Sequence, residues 1–544
     1  MFNKIINIIN NGKKKHSLII LSAILLLLLS FTAAYADSGE QEGEVAFEII
    51  GFTVDGNTLL TENLMLNALT PFTGESKTAE DVEKARDALE KLYHNSGYPA
   101  VLVNIPRQTV EDGLVRLSVI ESKIKNIKVT GNKFFTRESI LKRFPSLKPG
   151  EVVFMPRLQQ EFAFAGRNPD MKISPLLMPG KELGTIDVEL KVKDSLPLHG
   201  SLELNNRSTH ATTDLRLNGS LQYDNLWQKE HSFSLQYQIS PEDTDEVKLL
   251  AESYVFSPPW NQDHIIAIYA VWSDSDTAFG DGIAVVGKGQ IFGGRYIMSL
   301  PSVNNFSHNI TFGMDYKDFD EDVNFSDNDN EGLKTPIKYL PLLLSYSAAL
   351  SDERGKTQFS LGLNMSFRNL VTDQREFGIK RLYARGDYLY VTAGIERAHK
   401  LPYGIDLFAK LDGQVASQPL ISNEQFIAGG VDSVRGYKES ELSGDHGIHG
   451  GLEIVFPELT GLLDIKSGSI RGTPYLFFEM AELWTKSPPP GEEKYRGLRG
   501  AGAGIRGEIY EKFEYGFDGA VALKETDDVE KGYFNFYMKV KYKF

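Results

Sequence analysis

Cysteine is absent from all 544 residues, which excludes disulfide frameworks, thiolate metal sites and cysteine nucleophiles together. No long basic run occurs and the formal charge is −15, so the footprint of a nucleic-acid binder is missing. Long apolar stretches are scarce as well: one runs from Ser17 to Phe31 and no other compares with it. The mean hydropathy of −0.25 suits a soluble protein or a membrane barrel and excludes a bundle of membrane helices. A nucleophile elbow and an HExxH pair are lacking, so no catalytic residue, metal or cofactor is expected.

The single apolar run is preceded by Lys4, Lys13, Lys14, Lys15 and His16 and followed by Ala34-Tyr35-Ala36, a small-x-small cleavage pattern. That layout predicts a secretory signal peptide over residues 1–36. Fifteen residues from Ser17 to Phe31 are short for a spanning helix. An uncleaved inner-membrane anchor is the alternative. The mature chain is expected to begin near Asp37 with a short acidic leader over 37–44. Export of a cysteine-free chain points to a bacterial periplasm or outer membrane.

A repeat follows. Val54, Gly56, Asn57 and Thr61 recur as Val129, Gly131, Asn132 and Thr136, each 75 residues on. Spaced identity of this kind marks two copies of one unit, here residues 45–122 and 123–196. In each, a short alternating strand (Phe47 to Val54; Ile124 to Val129) enters a Gly-Asn turn. Thr61 or Thr136 is then expected to cap a helix with its hydroxyl. A second helix is predicted over Ala79 to Ser96, with Val82, Ala85, Leu89 and Leu92 on one face and Gly97 at its end. Strands over Ala100 to Ile105 and Leu114 to Ile120 complete a βααββ order, and Ile186 to Val192 closes the second copy. A small sheet covered on one face leaves an edge strand free to accept an extended peptide. Plain spacer domains are the alternative.

From about Leu198 the pattern becomes alternating strands of eight to twelve residues. Leu217, Gly219, Leu221 and Tyr223 share a face, as do Phe359, Leu361, Leu363 and Met365. The last segment is the clearest. Phe534, Phe536, Met538, Val540, Tyr542 and Phe544 are apolar, while Lys539, Lys541 and Lys543 face the other way. Lipid gives the backbone no hydrogen-bond partner, so such a sheet must close. Residues 197–544 are therefore expected to form a membrane all-β barrel of about 16 antiparallel strands with a wet lumen, behind two small α+β domains.

Val434-Arg435-Gly436-Tyr437, after Gly429-Gly430, resembles the Val-Arg-Gly-Tyr/Phe motif of the outer-membrane barrels that carry periplasmic POTRA modules. With two such modules and a terminal Phe544, the chain resembles the two-partner secretion transporters, the exporters of haemolysins and filamentous haemagglutinins. Leu177-Met178-Pro179-Gly180 with Gly184, and Asn205-Asn206-Arg207, match further family stretches. The resemblance implies that the motif loop folds back into the lumen. There its arginine would meet an acid on the wall, in a Phe-x-Asp-x-Gly strand. The matching positions are Phe477, Glu479 and Ala481, with Glu for Asp and Ala for Gly. Period two puts these three on one face and Leu476, Phe478 and Met480 on the other, so Glu479 is expected to point inward. A guanidinium fork is directional as well as charged, so it can pin a loop where lysine cannot.

The resemblance further implies a bacterial outer-membrane protein with its POTRA modules in the periplasm. Phe544 would be the signal read by the barrel assembly machinery. The cargo would be an unfolded exoprotein, a β-helical adhesin or haemolysin. Relatives often carry an N-terminal helix that plugs the pore; Asp37 to Glu44 are too few for one, and none is expected. An insertase of other barrels and a passive porin are the alternatives. The first usually has more modules in series and the second needs none.

Two near-motifs carry little. Gly282 to Gly289 resembles a phosphate loop but lacks the Ser/Thr for magnesium. Asp445, His446 and His449 suggest a metal, but flanking glycines predict a loop and no third ligand is evident.

Overall fold

The computed structural model describes residues 46–544 apart from 167, 275–276, 280–282, 286–287, 321, 324–332, 372, 460–469, 489–490 and 492. The expected signal peptide, the acidic leader and the plug-helix question lie outside the described residues. So do parts of the Gly282–Gly289 stretch. Contacts divide the chain into two bodies, residues up to 131 with 141–192, and 132–140 with 193–544.

The first module contains β1 (Phe47–Ile49), β2 (Gly51–Asp55), α1 (Glu62–Leu69), β3 (Gly74–Lys77), α2 (Ala79–Asn95), β4 (Val101–Asn104) and β5 (Leu114–Glu121). Its sheet runs β2-β5-β4, with β2 parallel and β4 antiparallel to β5. The single strand expected over Phe47 to Val54 is broken at Ile50. There two successive N–H groups, of Ile50 and Gly51, turn onto the Gly113 carbonyl, and β1 pairs with β3 instead. One sheet face packs on the helices, burying Val101, Val103, Leu117 and Val119 against Met65, Ala85, Leu89 and Tyr93. Tyr93, one residue past the expected Leu92, lies nearer the centre of the apolar stripe set by Val82, Ala85 and Leu89. Its hydroxyl donates to the Asn57 side chain at 2.6 Å. Burial, with the Glu121 carboxylate adding to it, pushes that hydroxyl up to about 12 and keeps it a donor.

The second module repeats the plan with β6 (Lys123–Thr130), α3 (Arg137–Lys142), α4 (Met155–Ala165), β7 (Met171–Pro179) and β8 (Thr185–Asp194), the sheet running β6-β8-β7. The repeated residues answer to backbone geometry. Gly56 and Gly131 have φ of +84° and +85°, and a Cβ there would lie 2.4 Å and 2.3 Å from the carbonyl oxygens of Val119 and Val192. Only glycine fits. The following asparagines donate to Leu60 and Phe135 carbonyls, both at 2.8 Å. An acid ending the last strand accepts the next N–H groups: Glu121 from Thr58 and Leu59, Asp194 from Lys133 and Phe134. The threonines differ. Thr136 Oγ accepts from Ser139 N–H at 3.2 Å, whereas the Thr61 hydroxyl makes no cap bond and the first turn of α1 closes on the Thr61 carbonyl. A Thr78–Asp81 capping box starts α2.

Residues 198–544 form the barrel. Its strands are β9 (Leu198–Asn205), β10 (Arg216–Leu226), β11 (His231–Ile239), β12 (Lys248–Phe256), β13 (Ile265–Asp274), β14 (Lys288–Ser299), β15 (Phe306–Phe319) and β16 (Leu342–Asp352). They continue as β17 (Gly355–Met365), β18 (Leu389–Lys400), β19 (Asp406–Ala416), β20 (His446–Val455), β21 (Ile470–Trp484), β22 (Tyr495–Ile509), β23 (Phe513–Ala522) and β24 (Phe534–Lys543). These sixteen strands among the described residues are antiparallel neighbours in chain order, and β24 returns to β9 to close the sheet. Ile337–Tyr339 extends the pairing of β15 beyond β16. The terminal Phe544 exchanges backbone hydrogen bonds with Gly200 of β9. Outward side chains such as Leu221, Phe359, Leu361 and Phe536 are exposed, as a lipid-facing wall requires. No helix among the described residues is long and apolar enough to cross a membrane; the strands do.

Connections such as 353–354 and 510–512 at one end of the cylinder are tight turns, while at the other end 366–388 and 417–445 are long loops. The lumen is not uniformly wet. Toward the long-loop end, α5 (Gln374–Lys380) folds inward and buries Phe377 with Tyr339, Tyr388, Leu420 and Ile421 against the wall residues Leu249, Val271 and Ile291. Sequence alternation assigns a side chain to the inner face but does not reveal that another loop covers it. Beyond this apolar cork lies a cavity of about 1180 Å³ lined by charged side chains of both signs, among them Arg207, Arg435, Glu453, Arg506, Asp518 and Lys539.

Candidate functional site

Residues 417–445 link β19 to β20 and turn back into the lumen. A short ladder, Phe426–Ala428 against Leu442–Gly444, forms the stem of this loop. Two buried acids hold its base. Glu424 accepts from Lys317 (2.6 Å) and from the hydroxyls of Tyr339 and Tyr390 (both 2.8 Å). Asp445 accepts from both nitrogens of the Arg381 fork (2.5 and 2.8 Å) and from the N–H groups of Leu420 and Lys486. The tip carries Val434, Arg435, Gly436 and Tyr437, all buried.

Arg435 reaches the wall at Glu479 in β21. Its backbone N–H donates to Glu479 Oε2 at 2.8 Å, and Nε donates to both carboxylate oxygens at 3.0 and 3.1 Å. Nη2 also donates to Glu479 and, at 2.8 Å, to Glu453 Oε1. Asp518 lies 3.7 Å from Nη1. The guanidinium carbon sits 3.4 Å from the centre of the Phe477 ring. Along β21, Phe477, Glu479 and Ala481 are buried while Leu476, Phe478 and Met480 face outward. The structure thus brings Arg435, Phe477 and Glu479 together. The longer Glu side chain spans to both the backbone and the side chain of Arg435. Ala481 packs in the same apolar cluster as Val434 and Tyr437.

Gly436 has φ +109°, and a Cβ would meet Ala522 N at 2.9 Å and Val521 C at 3.0 Å. Its N–H donates to the Tyr537 hydroxyl of β24 at 2.8 Å, and that hydroxyl donates onward to the Tyr437 carbonyl. The Tyr437 hydroxyl reaches the carbonyls of Lys524 (2.6 Å) and Arg499 (3.0 Å). Gly500 of β22 leaves the room in which the Arg435 carbonyl sits; a Cβ there would be 1.8 Å from that oxygen.

Sequence reasoning missed the opposite side of the tip. Arg207, just past β9, donates through Nε to Glu439 at 3.0 Å and through Nη2 to Asp432. Lys438 donates to Asp214 at 2.7 Å. Arg207 directly follows Asn205-Asn206, but nothing in linear order joins it to an acid 232 residues away. Phe544 lies apart from the loop, at the strand closure.

The loop expected around His446 and His449 is instead strand β20. A Cβ on Gly447 would run into the Phe426 ring; this glycine serves close approach, not a turn. His449 Nδ1 faces Asp412 and Nε2 the Ser433 carbonyl, both at 2.9 Å, and Asp445 is spent on Arg381. These ligand atoms already have protein partners.

Comparison with known proteins adds independent findings. Residues 47–122 match the family model of the POTRA domain, ShlB-type, and residues 326–507 that of the haemolysin secretion/activation protein ShlB/FhaC/HecB. The outer membrane transporter CdiB of Dickeya dadantii is 22% identical over 412 residues, 72% of this chain and 69% of the relative. In structure the chain is similar to CdiB from Escherichia coli, with TM-score 0.61 at 18% identity over 93% of this chain and 92% of that one. BamA from Haemophilus ducreyi lacking POTRA domains 1–3 gives TM-score 0.56 at 15% identity over 92% and 100%. At such identities these structures speak for the fold alone.

Proposed function

We infer that this chain, a member of the ShlB/FhaC/HecB haemolysin secretion/activation family of two-partner secretion transporters, carries a secreted partner exoprotein through its barrel to the cell surface. It resides in the outer membrane with its POTRA modules in the periplasm.

The observation that carries the mechanism is the loop tip held inside the lumen by Arg435. A wide barrel is a passage only if its contents sit at defined depths and can be moved. One fork on Glu479 and Glu453 fixes the tip on one side, and Arg207 on Glu439 and Asp432 fixes it on the other. Partner chain, arriving unfolded, docks on a module sheet edge and enters the charged half of the lumen as an extended segment. The mixed signs of that half suit a chain of varied sequence, with no strong site to trap it. The apolar cork around Phe377 withdraws for passage. The periplasm offers no ATP, so direction comes from capture at the front and folding of the cargo outside. An adhesin or haemolysin of β-helical build fits, since it folds as it emerges. We assign Arg435 and Glu479 to the latch, Gly436 and Tyr437 to its seating, and Phe544 to recognition by the barrel assembly machinery. No enzymatic step is assigned.

Deletion of the gene, followed by protein identification in culture medium and outer membranes, tests this. The expected result is loss of one large exoprotein with other barrels at normal abundance. A general fall in outer-membrane barrels would replace this reading with an insertase. A change in small-solute permeability alone would replace it with a porin, which the cork opposes.

A further inference from the structure

The loop over 417–445 carries five acids, Glu424, Asp432, Glu439, Glu441 and Asp445. Four of them meet a lysine or arginine: Glu424 has Lys317, Asp432 and Glu439 have Arg207, and Asp445 has Arg381. Glu441 does not. Its side chain is fully buried, and among the described residues it pairs with no lysine or arginine. Oε1 accepts from the Thr526 hydroxyl at 2.5 Å, and Oε2 lies 2.6 Å from His210 Nε2. A carboxylate taken out of water without a fixed cation is costly, and an imidazole is a cation only when protonated.

A third ligand group stands beside this pair. His210, Glu441 and Asp528 each bring one ligand atom within 4.8 Å of the others. They come from three loops at the long-loop end of the cylinder: 206–215 between β9 and β10, 417–445, and 523–533 between β23 and β24. β9 and β24 are the strands whose pairing closes the barrel. Glu441 is set in place by its surroundings. Thr526 holds one oxygen, and Gly429, with φ +115°, allows an approach so close that a Cβ there would lie 2.5 Å from Glu441 Cβ. Around a four-coordinate zinc the ligand atoms stand about 3.3 Å apart, so His210 and Glu441 need to part by less than about 1 Å. His210 and Asp528 are on exposed loop positions, where such shifts are easy. One imidazole with two carboxylates favours zinc and its neighbours over calcium or magnesium, which prefer oxygen alone. At His449 the nearby Asp445 already has its arginine; here the ion would give Glu441 the cation that the other acids of the loop possess.

We propose that His210, Glu441 and Asp528 bind a divalent metal ion of the zinc class, and that the ion straps the returning arm of the lumen loop to the two loops beside the strand closure. The site goes beyond the transport reading and does not depend on it. Linear order hides it, because His210 and Glu441 are 231 residues apart.

The full chain, purified in detergent without a histidine tag and stripped with chelator, is titrated with zinc chloride in a calorimeter. One equivalent is expected to bind at roughly micromolar concentration. His210→Ala and Asp528→Ala should each weaken binding at least about tenfold, while the barrel keeps its heat-dependent mobility on gels. Millimolar calcium or magnesium should not displace the zinc. The strap has its own readout. Lys531 is exposed in the loop that carries Asp528, so trypsin reaches it when that loop moves. Zinc at about ten times its dissociation constant should slow cleavage there roughly tenfold, and should not do so in His210→Ala. Absence of saturable zinc binding, equal binding by both alanine variants, or displacement by calcium overturns the site. Binding that leaves cleavage at Lys531 unchanged overturns the strap.

Discussion

Arg435→Ala is the sharpest perturbation of the lumen loop. The substitution removes the side-chain bonds to Glu479 and Glu453, the proximity to Asp518 and the contact with the Phe477 ring. Glu479 is left on the wall without its guanidinium partner, while Glu453 keeps Arg506 at 3.1 Å. Breaking a buried pair costs about 3–5 kcal/mol, and loss of a desolvated cation–π contact up to ~2 more. The side chains of Glu453 and Glu479 retain 12% and 9% exposure. Water therefore softens the cost, and the lower end, about 3 kcal/mol, is the reasoned value. That corresponds to roughly 100-fold in the ratio of docked to released loop. The barrel ladder is untouched, so the variant should insert and keep its heat-dependent mobility on gels. A cysteine in place of the fully buried Val434 reports the released fraction, since a thiol reagent reaches it only when the tip lifts. Labelling should quicken by about two orders of magnitude in Arg435→Ala, and export should fail. Arg435→Lys, which retains charge but not the fork, should lie between. Unchanged labelling, or wild-type secretion by Arg435→Ala, refutes the latch.

Three further outcomes follow from the same structure. Gly436→Ala combines a left-handed φ with contacts of 2.9–3.0 Å to β23 backbone; a strain of about 1–3 kcal/mol should raise Val434→Cys labelling and lower secretion, and unaffected labelling would show that the tip yields freely. Gly56→Ala places a Cβ 2.4 Å from the Val119 carbonyl, so limited proteolysis of the full chain should cleave the first module faster while the barrel survives; equal cleavage would mean the turn relaxes. Phe377→Ala empties the centre of the cork, a deletion worth roughly 3–5 kcal/mol, and should raise single-channel conductance in planar bilayers; wild-type conductance would show that the lumen is closed elsewhere.

Much of this protein was legible in linear order because its rules are local and periodic. Strand alternation marks which side chains meet lipid, as at Phe534, Phe536 and Met538, and lipid then forces the sheet to close. The Gly-Asn repeat was visible because φ near +85° with a carbonyl 2.4 Å away from any Cβ tolerates only glycine. Glu479 was singled out by the family resemblance and assigned to the lumen because period two sets it opposite the apolar Leu476, Phe478 and Met480. Other features depended on encounters that sequence spacing does not encode. Thr136 caps its helix with its hydroxyl and Thr61 does not, although the residues before them repeat. The glycine at 447 looks like a turn and instead makes room for the Phe426 ring on a strand. Arg207 meets Glu439, and Phe377 fills the lumen, only once the barrel has rolled up and its loops have folded inward. Residue type and period set which faces are apolar; only closure of the sheet determines which of those faces find each other.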